Sequence, residues 1–276
     1  MKKSVCHYSF HRTWTAEKWT CERLAEEVKI LGVEGIDFHA GLLGAVEEAP
    51  GKIRAALGKT GLTLSGLSMS NNFNQSDPAL LKNQIDTVKR WLQVAAEVKA
   101  PVSRIFGGHI QDRSNPVELR QGFDRIIAAL GELVQEAEKL GVILALENHG
   151  GLPCTGEEQV EVIKKINSKY LRATIDVGNY LQGGQEGHVG TTIAAPFAAY
   201  VHFKDFRKKP ASKTGSRWDL ESCTVGQGDI QHRQCLEVLK KAGYNGFIAL
   251  EYEGADDEKI GIPQSLAYMN TIMLNL

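Results

Sequence analysis

Four side chains able to bind a cation or move a proton each close a short apolar run in the second half of this 276-residue chain. Glu147 follows Ile143-Leu144-Ala145-Leu146, and Asp176 follows Ala173-Thr174-Ile175. His202 follows Tyr200-Val201, and Glu251 follows Phe247-Ile248-Ala249-Leu250. Short apolar runs between turn signals read as buried strands. An ionised carboxylate at the end of such a strand is costly unless something pairs with it. If the four strand ends converge, one divalent cation satisfies them together. Three carboxylates and an imidazole form a donor set of intermediate hardness, suited to Mn²⁺, Mg²⁺ or Co²⁺ and able to take Zn²⁺. Mn²⁺ is the expected ion.

Such a site suits proton transfer α to a sugar carbonyl. That chemistry needs a base, an acid, and a positive charge to hold the enediolate oxygens. Glu147 and Glu251 flanking a metal supply all three, because the metal acts as Lewis acid and as template for vicinal oxygens. Glu253, two residues past Glu251 and on the same strand face, is the rival for the eighth-strand role. His149 shares a face with Glu147, and His109 follows Gly107-Gly108; each is a candidate to bond a substrate hydroxyl. Lys204 points the same way as His202 and either holds an oxyanion or pairs with Asp205. Trp14 offers an apolar wall for a sugar face.

Those residues need a scaffold. Strands are expected over 4–10, 35–38, 62–68, 102–106, 142–147, 171–176, 200–203 and 247–251, with helical patterns between them. Asp77-Pro78 opens a helix over 79–98, Asn115-Pro116 opens another running to Leu140, and a third spans 231–242. Gly141 and Gly243 fall just past helix ends, where an αβ loop wants glycine. Eight strands alternating with about eight helices, with no linker, predict one α/β domain over residues 1–276, a (β/α)8 TIM barrel with its active site at the C-terminal strand ends. An open doubly wound sheet is disfavoured because Phe10-His11-Arg12-Thr13-Trp14 is no phosphate cradle. The stretch 206–229 reads as a long basic irregular loop containing Trp218, expected at the mouth as a lid or oligomer contact.

Composition restricts the partners. Net charge is -1, so no global basic field invites nucleic acid or an acidic membrane. No run approaches the ~18 apolar residues of a membrane span. Five cysteines without a CxxC pair read as reduced thiols of a cytoplasmic protein. A homo-oligomer is compatible with all of this.

The segments Leu144–His149, Thr174–Asn179, Val201–Asp205 and Leu250–Glu253 resemble the signatures of the xylose-isomerase-like barrel superfamily, which includes sugar isomerases and epimerases, dehydratases and AP endonucleases. Arg104–Gly108 and Gly35–Asp37 are similar to its fourth- and second-strand motifs. The resemblance implies Glu147, Asp176, His202 and Glu251 as metal ligands, with Glu147 and Glu251 also facing substrate as the acid/base pair. Asn179 stands where ketose 3-epimerases carry a substrate-binding histidine. Arg207 lies downstream of His202 within a His-x-Lys-Asp context closer to the inosose-dehydratase and sugar-phosphate-isomerase branches.

The leading expectation is therefore a metal-dependent isomerase or epimerase of a small sugar, keto-polyol or sugar phosphate, acting through a metal-bound enediolate. The alternative is a dehydratase of inosose or 3-dehydroshikimate type, which shares the first proton abstraction. An AP-site endonuclease is remote, since it would need further metal ligands and a basic groove.

Overall fold

The computed structural model describes residues 1–212, 217–274 and 276. Eight parallel strands close into a barrel: Lys2–Cys6, Gly35–His39, Thr63–Ser68, Ser103–Phe106, Leu144–Glu147, Leu171–Asp176, Ala198–Phe203 and Phe247–Leu250. Each strand pairs with its sequence neighbours, and the first closes on the eighth with Lys2 opposite Phe247 and Val5 opposite Leu250. The (β/α)8 barrel expected from the alternation is the fold observed.

Local chemistry sets the helices between strands. Asp77 accepts the Ala79 amide at 2.8 Å and opens Pro78–Glu97. Asn115 accepts from Val117 and Glu118 at 3.1 and 3.2 Å and opens Pro116–Leu140. Proline follows each cap, where its missing N–H costs nothing. Gly141 and Gly243 adopt φ of 70° and 78°, the left-handed stops that let the chain turn into the next strand. Among the described residues no helix is long and apolar enough to cross a membrane.

Two cores result. The larger lies between barrel and helices and includes Ile36, Phe38, Leu67, Leu146, Ile175, Val201, Phe203 and Leu250, all fully buried. The smaller includes Cys6, Ala145, Tyr200 and Ala249 and fills the barrel interior. Period-two alternation explains the division: Ala145 and Glu147, Tyr200 and His202, and Ala249 share the inward face, while Leu146, Val201 and Leu250 point to the helices. Small inward residues leave room for Tyr200, whose hydroxyl meets Ser65 Oγ at 3.0 Å.

Two elements differ from expectation. The first strand ends at Cys6, after which His7–Phe10 form a 3₁₀ turn and His11–Glu17 a helix. The stretch after the seventh strand is not irregular: Asp205–Pro210 and Trp218–Cys223 form an antiparallel hairpin. Arg207 and Lys209 lie on one face and Lys208 on the other, so charge covers both and no apolar strand period shows in the sequence. Lys213, counted among the basic residues of that stretch, lies outside the described residues.

Candidate metal centre

Glu147, Asp176, His202 and Glu251 meet at the C-terminal mouth of the barrel. Asp176 is in register with His202, and Ala249 with the same His202, so three neighbouring strands deliver their side chains to one level. One donor atom from each of the four lies within 4.8 Å of the others. All four residues are buried. Glu147 Oε2, Asp176 Oδ2 and Glu251 Oε2 are solvent-excluded and are met only by the ion pairs of Arg104 and Lys204, while His202 Nδ1 faces carboxylate oxygens alone. Clustered buried carboxylates need such countercharge. This donor set fits a divalent ion.

Hydrogen bonds aim the ligands. Asp176 Oδ1 accepts the amides of Gly178 and Asn179, both at 2.9 Å, turning Oδ2 toward the centre. Asn148 bridges strands five and six, donating to the Asp176 carbonyl and accepting its amide at 2.9 Å each. The Glu251 amide donates to the Phe203 carbonyl at 2.9 Å. Asn179, at the position of the family histidine, donates its amide to Glu147 Oε1 at 3.1 Å.

His202 presents Nδ1 toward Glu251 Oε2 at 3.5 Å and Glu147 Oε1 at 3.8 Å. Its Nε2 faces a second buried carboxylate, Asp37 Oδ2, at 3.8 Å, and Cys6 Sγ at 3.7 Å. Asp37 is itself held by Ser68 Oγ at 2.5 Å and by the Cys6 thiol at 3.6 Å. A carboxylate behind a metal-directed imidazole fixes its tautomer and ring orientation. Burial pushes the Cys6 thiol up to about 12, so it acts here as a neutral donor.

Two cations sit among these acids. Lys204 Nζ lies 2.7 Å from Glu251 Oε2, 3.3 Å from Asp176 Oδ2 and 3.4 Å from Glu253 Oε1. Its partner is therefore this cluster and not Asp205. Arg104 Nε is 3.1 Å from Glu147 Oε2, its other end donates to the Met69 carbonyl at 2.7 Å, and its plane lies 4.2 Å over Phe106. Burial would raise Glu251, but Lys204 and His202 hold it well below the usual carboxylate range. For Glu147 burial prevails over Arg104 and His202, and its pKa is raised. Burial likewise lifts Asp176 to about 8 against the pull of Lys204. The two glutamates thus differ in proton affinity.

Beside the ligands is a hollow of about 220 Å³ lined by Tyr8, His39, Ser70, Arg104, Phe106, His149, Glu251 and Glu253. His149 stacks on Phe106 at 3.9 Å and leaves Nδ1 buried without a partner. Burial lowers its pKa to about 3, and that of His39 to about 4, so both rings are neutral.

The remaining residues singled out from sequence fall elsewhere. His109 is exposed at the strand Gly108–His109 and meets His149 edge-on at 5.6 Å without lining the hollow. Trp14, on the helix after the 3₁₀ turn, packs against His7 at 4.2 Å, and Tyr8 occupies the wall expected of it. Arg207 is exposed on the hairpin and bonds Gln227. The turn after the hairpin folds onto Asp205: Gly226, Gly228 and Ile230 donate their amides to its carboxylate at 2.8, 2.9 and 3.2 Å. Sequence reasoning passed over Asp37, Arg104, Tyr8, His39 and Ser70. Arg104 and Asp37 carried a legible signal, a charge inside an apolar strand.

A chain of this architecture belongs to the xylose isomerase-like TIM barrel family, whose sequence profile matches residues 25–272. One curated relative, an uncharacterized protein of Methanocaldococcus jannaschii, is 26% identical over 195 residues, spanning 67% of this chain and 64% of the relative, just under two thirds of its length. Among solved structures, the 3-keto-D-glucoside 4-epimerase of E. coli superposes with a TM-score of 0.78 at 17% identity, covering 98% of this chain and 99% of that one. D-psicose 3-epimerase of Clostridium cellulolyticum H10 gives 0.77 at 18%, covering 99% of each. A xylose isomerase-like barrel protein of Mycobacterium smegmatis, solved in complex with magnesium, gives 0.73 at 17%, covering 98% and 96%.

Proposed function

We propose that this chain is a divalent-metal-dependent isomerase or epimerase of a small keto-sugar, with Glu147, Asp176, His202 and Glu251 as ligands and Mn²⁺ as the working ion. One observation carries the reading: four buried strand-end donors, three carboxylates and an imidazole, converge within 4.8 Å of one another. The sugar epimerases among the structural neighbours and the magnesium complex of one of them support it. When bound, the ion supplies Lewis-acid polarisation of the substrate carbonyl and holds its vicinal oxygens.

The chain's own residues do the rest. Glu147 and Glu251 both face His202 Nδ1 at the centre and exchange the α-proton, one taking it while the other returns it. Asn179 and Arg104 keep the Glu147 carboxylate in place. Lys204 holds Glu251 and adds positive charge beside the developing enediolate. His39, His149, Tyr8 and Ser70 take the hydroxyls, and Phe106 backs the ring. Five buried, unpaired thiols fit a cytoplasmic setting.

The lyase reading keeps the same first step. The Lys204 ammonium and Tyr8 hydroxyl beside the hollow are the groups that would protonate a departing β-hydroxyl.

The test is exchange of the substrate α-hydrogen with D₂O at saturating Mn²⁺, with occupancy measured. Ketoses and inososes should exchange, and Glu147→Gln and Glu251→Gln should each lose at least ~10² in rate. Retention of wild-type exchange by both fully loaded variants removes the acid/base assignment. An enone product would select the lyase.

A further inference from the structure

The hollow beside the ligands is small. At roughly 30 Å³ per water, its 220 Å³ equals about seven water volumes, room for one sugar ring. Next to it lies a groove of about 650 Å³. The groove begins at Gly150, the residue after His149, and runs to Gln182 and Arg217. Gly150 and Gly151 adopt φ of 69° and 93°, which turn the chain sharply away from His149. A Cβ on Gly150 would run into His109 and one on Gly151 into Ile110, so glycine alone lets this turn form the groove wall.

The groove is built and chemically joined to the centre. Gln182 donates to Asn179 Oδ1 at 3.1 Å, and Asn179 donates to Glu147, so two hydrogen bonds connect a groove wall to a metal-directed carboxylate. Arg113 is anchored by the Gly151 carbonyl and by Glu158. Arg217 is fixed by the Gly184 carbonyl at 2.8 Å and by Trp218, 4.3 Å beneath its plane. Glu158 neutralises Arg113, leaving Asp112 and Arg217 in balance among the described lining residues. Among the described residues the lining is polar and without net charge, which suits hydroxyls rather than a phosphate or an apolar tail.

We infer that the groove is a subsite for a second, uncharged glycosyl unit, and that the substrate is a keto-glycoside whose reacting ring sits in the hollow. This rests on the keto-sugar reading above and specifies its substrate. A free ketose leaves the groove to water.

The metal-loaded full chain should be titrated, by saturation-transfer NMR, with a methyl 3-keto-glucoside and with the same ring carrying a glucosyl unit. D₂O exchange is followed in parallel. The glucosyl compound should bind at least tenfold more tightly. Gln111→Trp, which fills the exposed groove wall, and Arg217→Ala should each reduce that ratio severalfold, circular dichroism confirming the fold. Equal binding of the two probes, binding of neither, or a ratio unchanged in both variants overturns the subsite. Absence of exchange with the binding ratio intact instead removes the isomerase reading and leaves the subsite standing.

Discussion

Lys204 Nζ stands 2.7 Å from Glu251 Oε2 and 3.3 Å from Asp176 Oδ2, two buried carboxylates that one divalent ion would also satisfy. Ammonium and ion thus serve overlapping oxygen atoms. Breaking a buried pair by removing one partner costs about 3–5 kcal/mol. Lys204→Met should lower the melting temperature of metal-free protein by about 10 °C, at roughly 2–4 °C per kcal/mol for a chain of this size. Added Mn²⁺ should raise Tm more in the variant than in wild type. Differential scanning calorimetry with and without Mn²⁺ decides it, and equal metal-induced shifts would show that Lys204 does not share the ion's oxygens.

Asp37 should govern metal affinity although it is no ligand. Losing the group behind a ligating imidazole typically costs 10–100-fold in affinity. Asp37→Ala should weaken Co²⁺ binding by about that much, read from the visible spectrum of the Co²⁺ protein. Asp37→Asn, which keeps an acceptor facing His202 Nε2, should recover part of the loss.

How much of this centre was legible follows from where the signals lie. Glu147, Asp176, His202 and Glu251 stood out because an acid or imidazole ending an apolar run is conspicuous. Asp37 and Arg104 obey the same rule two residues before the ends of their strands, Gly35–His39 and Ser103–Phe106. Tyr8 and Trp14 were exchanged because the first strand stops at Cys6; a 3₁₀ turn there carries no periodicity to announce it. The hairpin escaped because charge, not apolar alternation, covers both of its faces.

Acid should unfold the protein through its neutral histidines. Burial lowers His7 and His149 to about 3 and His39 to about 4. Their folded values lie below the unfolded value near ~6.5. The unfolded chain therefore binds more protons as pH falls, and stability present above pH ~6.5 is lost progressively toward the folded values. Each ring contributes up to about 1.4 kcal/mol per pH unit in that window. Urea midpoints measured from pH 7 to pH 4.5 should fall, and His7→Gln should flatten the slope by close to one proton. An unchanged slope would mean His7 is protonated in the fold.

Asp205 should be the structural pivot of the hairpin. Its carboxylate accepts four amides, those of Phe206, Gly226, Gly228 and Ile230. Hydrogen bonds to a charged group contribute about 1.5–3 kcal/mol each and do not simply add. Asp205→Ala should cost several kcal/mol and expose the hairpin amides to hydrogen exchange, whereas Asp205→Asn should retain part of the protection. Loss of protection confined to the barrel strands would contradict this role.

Lys204 and Asp205 are neighbours in sequence yet serve opposite sides of the seventh strand's end, one feeding the reaction centre and the other tying down the rim. Adjacent side chains on an extended chain alternate in direction. A one-residue insertion upstream would push Lys204 into the nest of amides and bring Phe203 among the carboxylates in its place. Both compartments would fail at once.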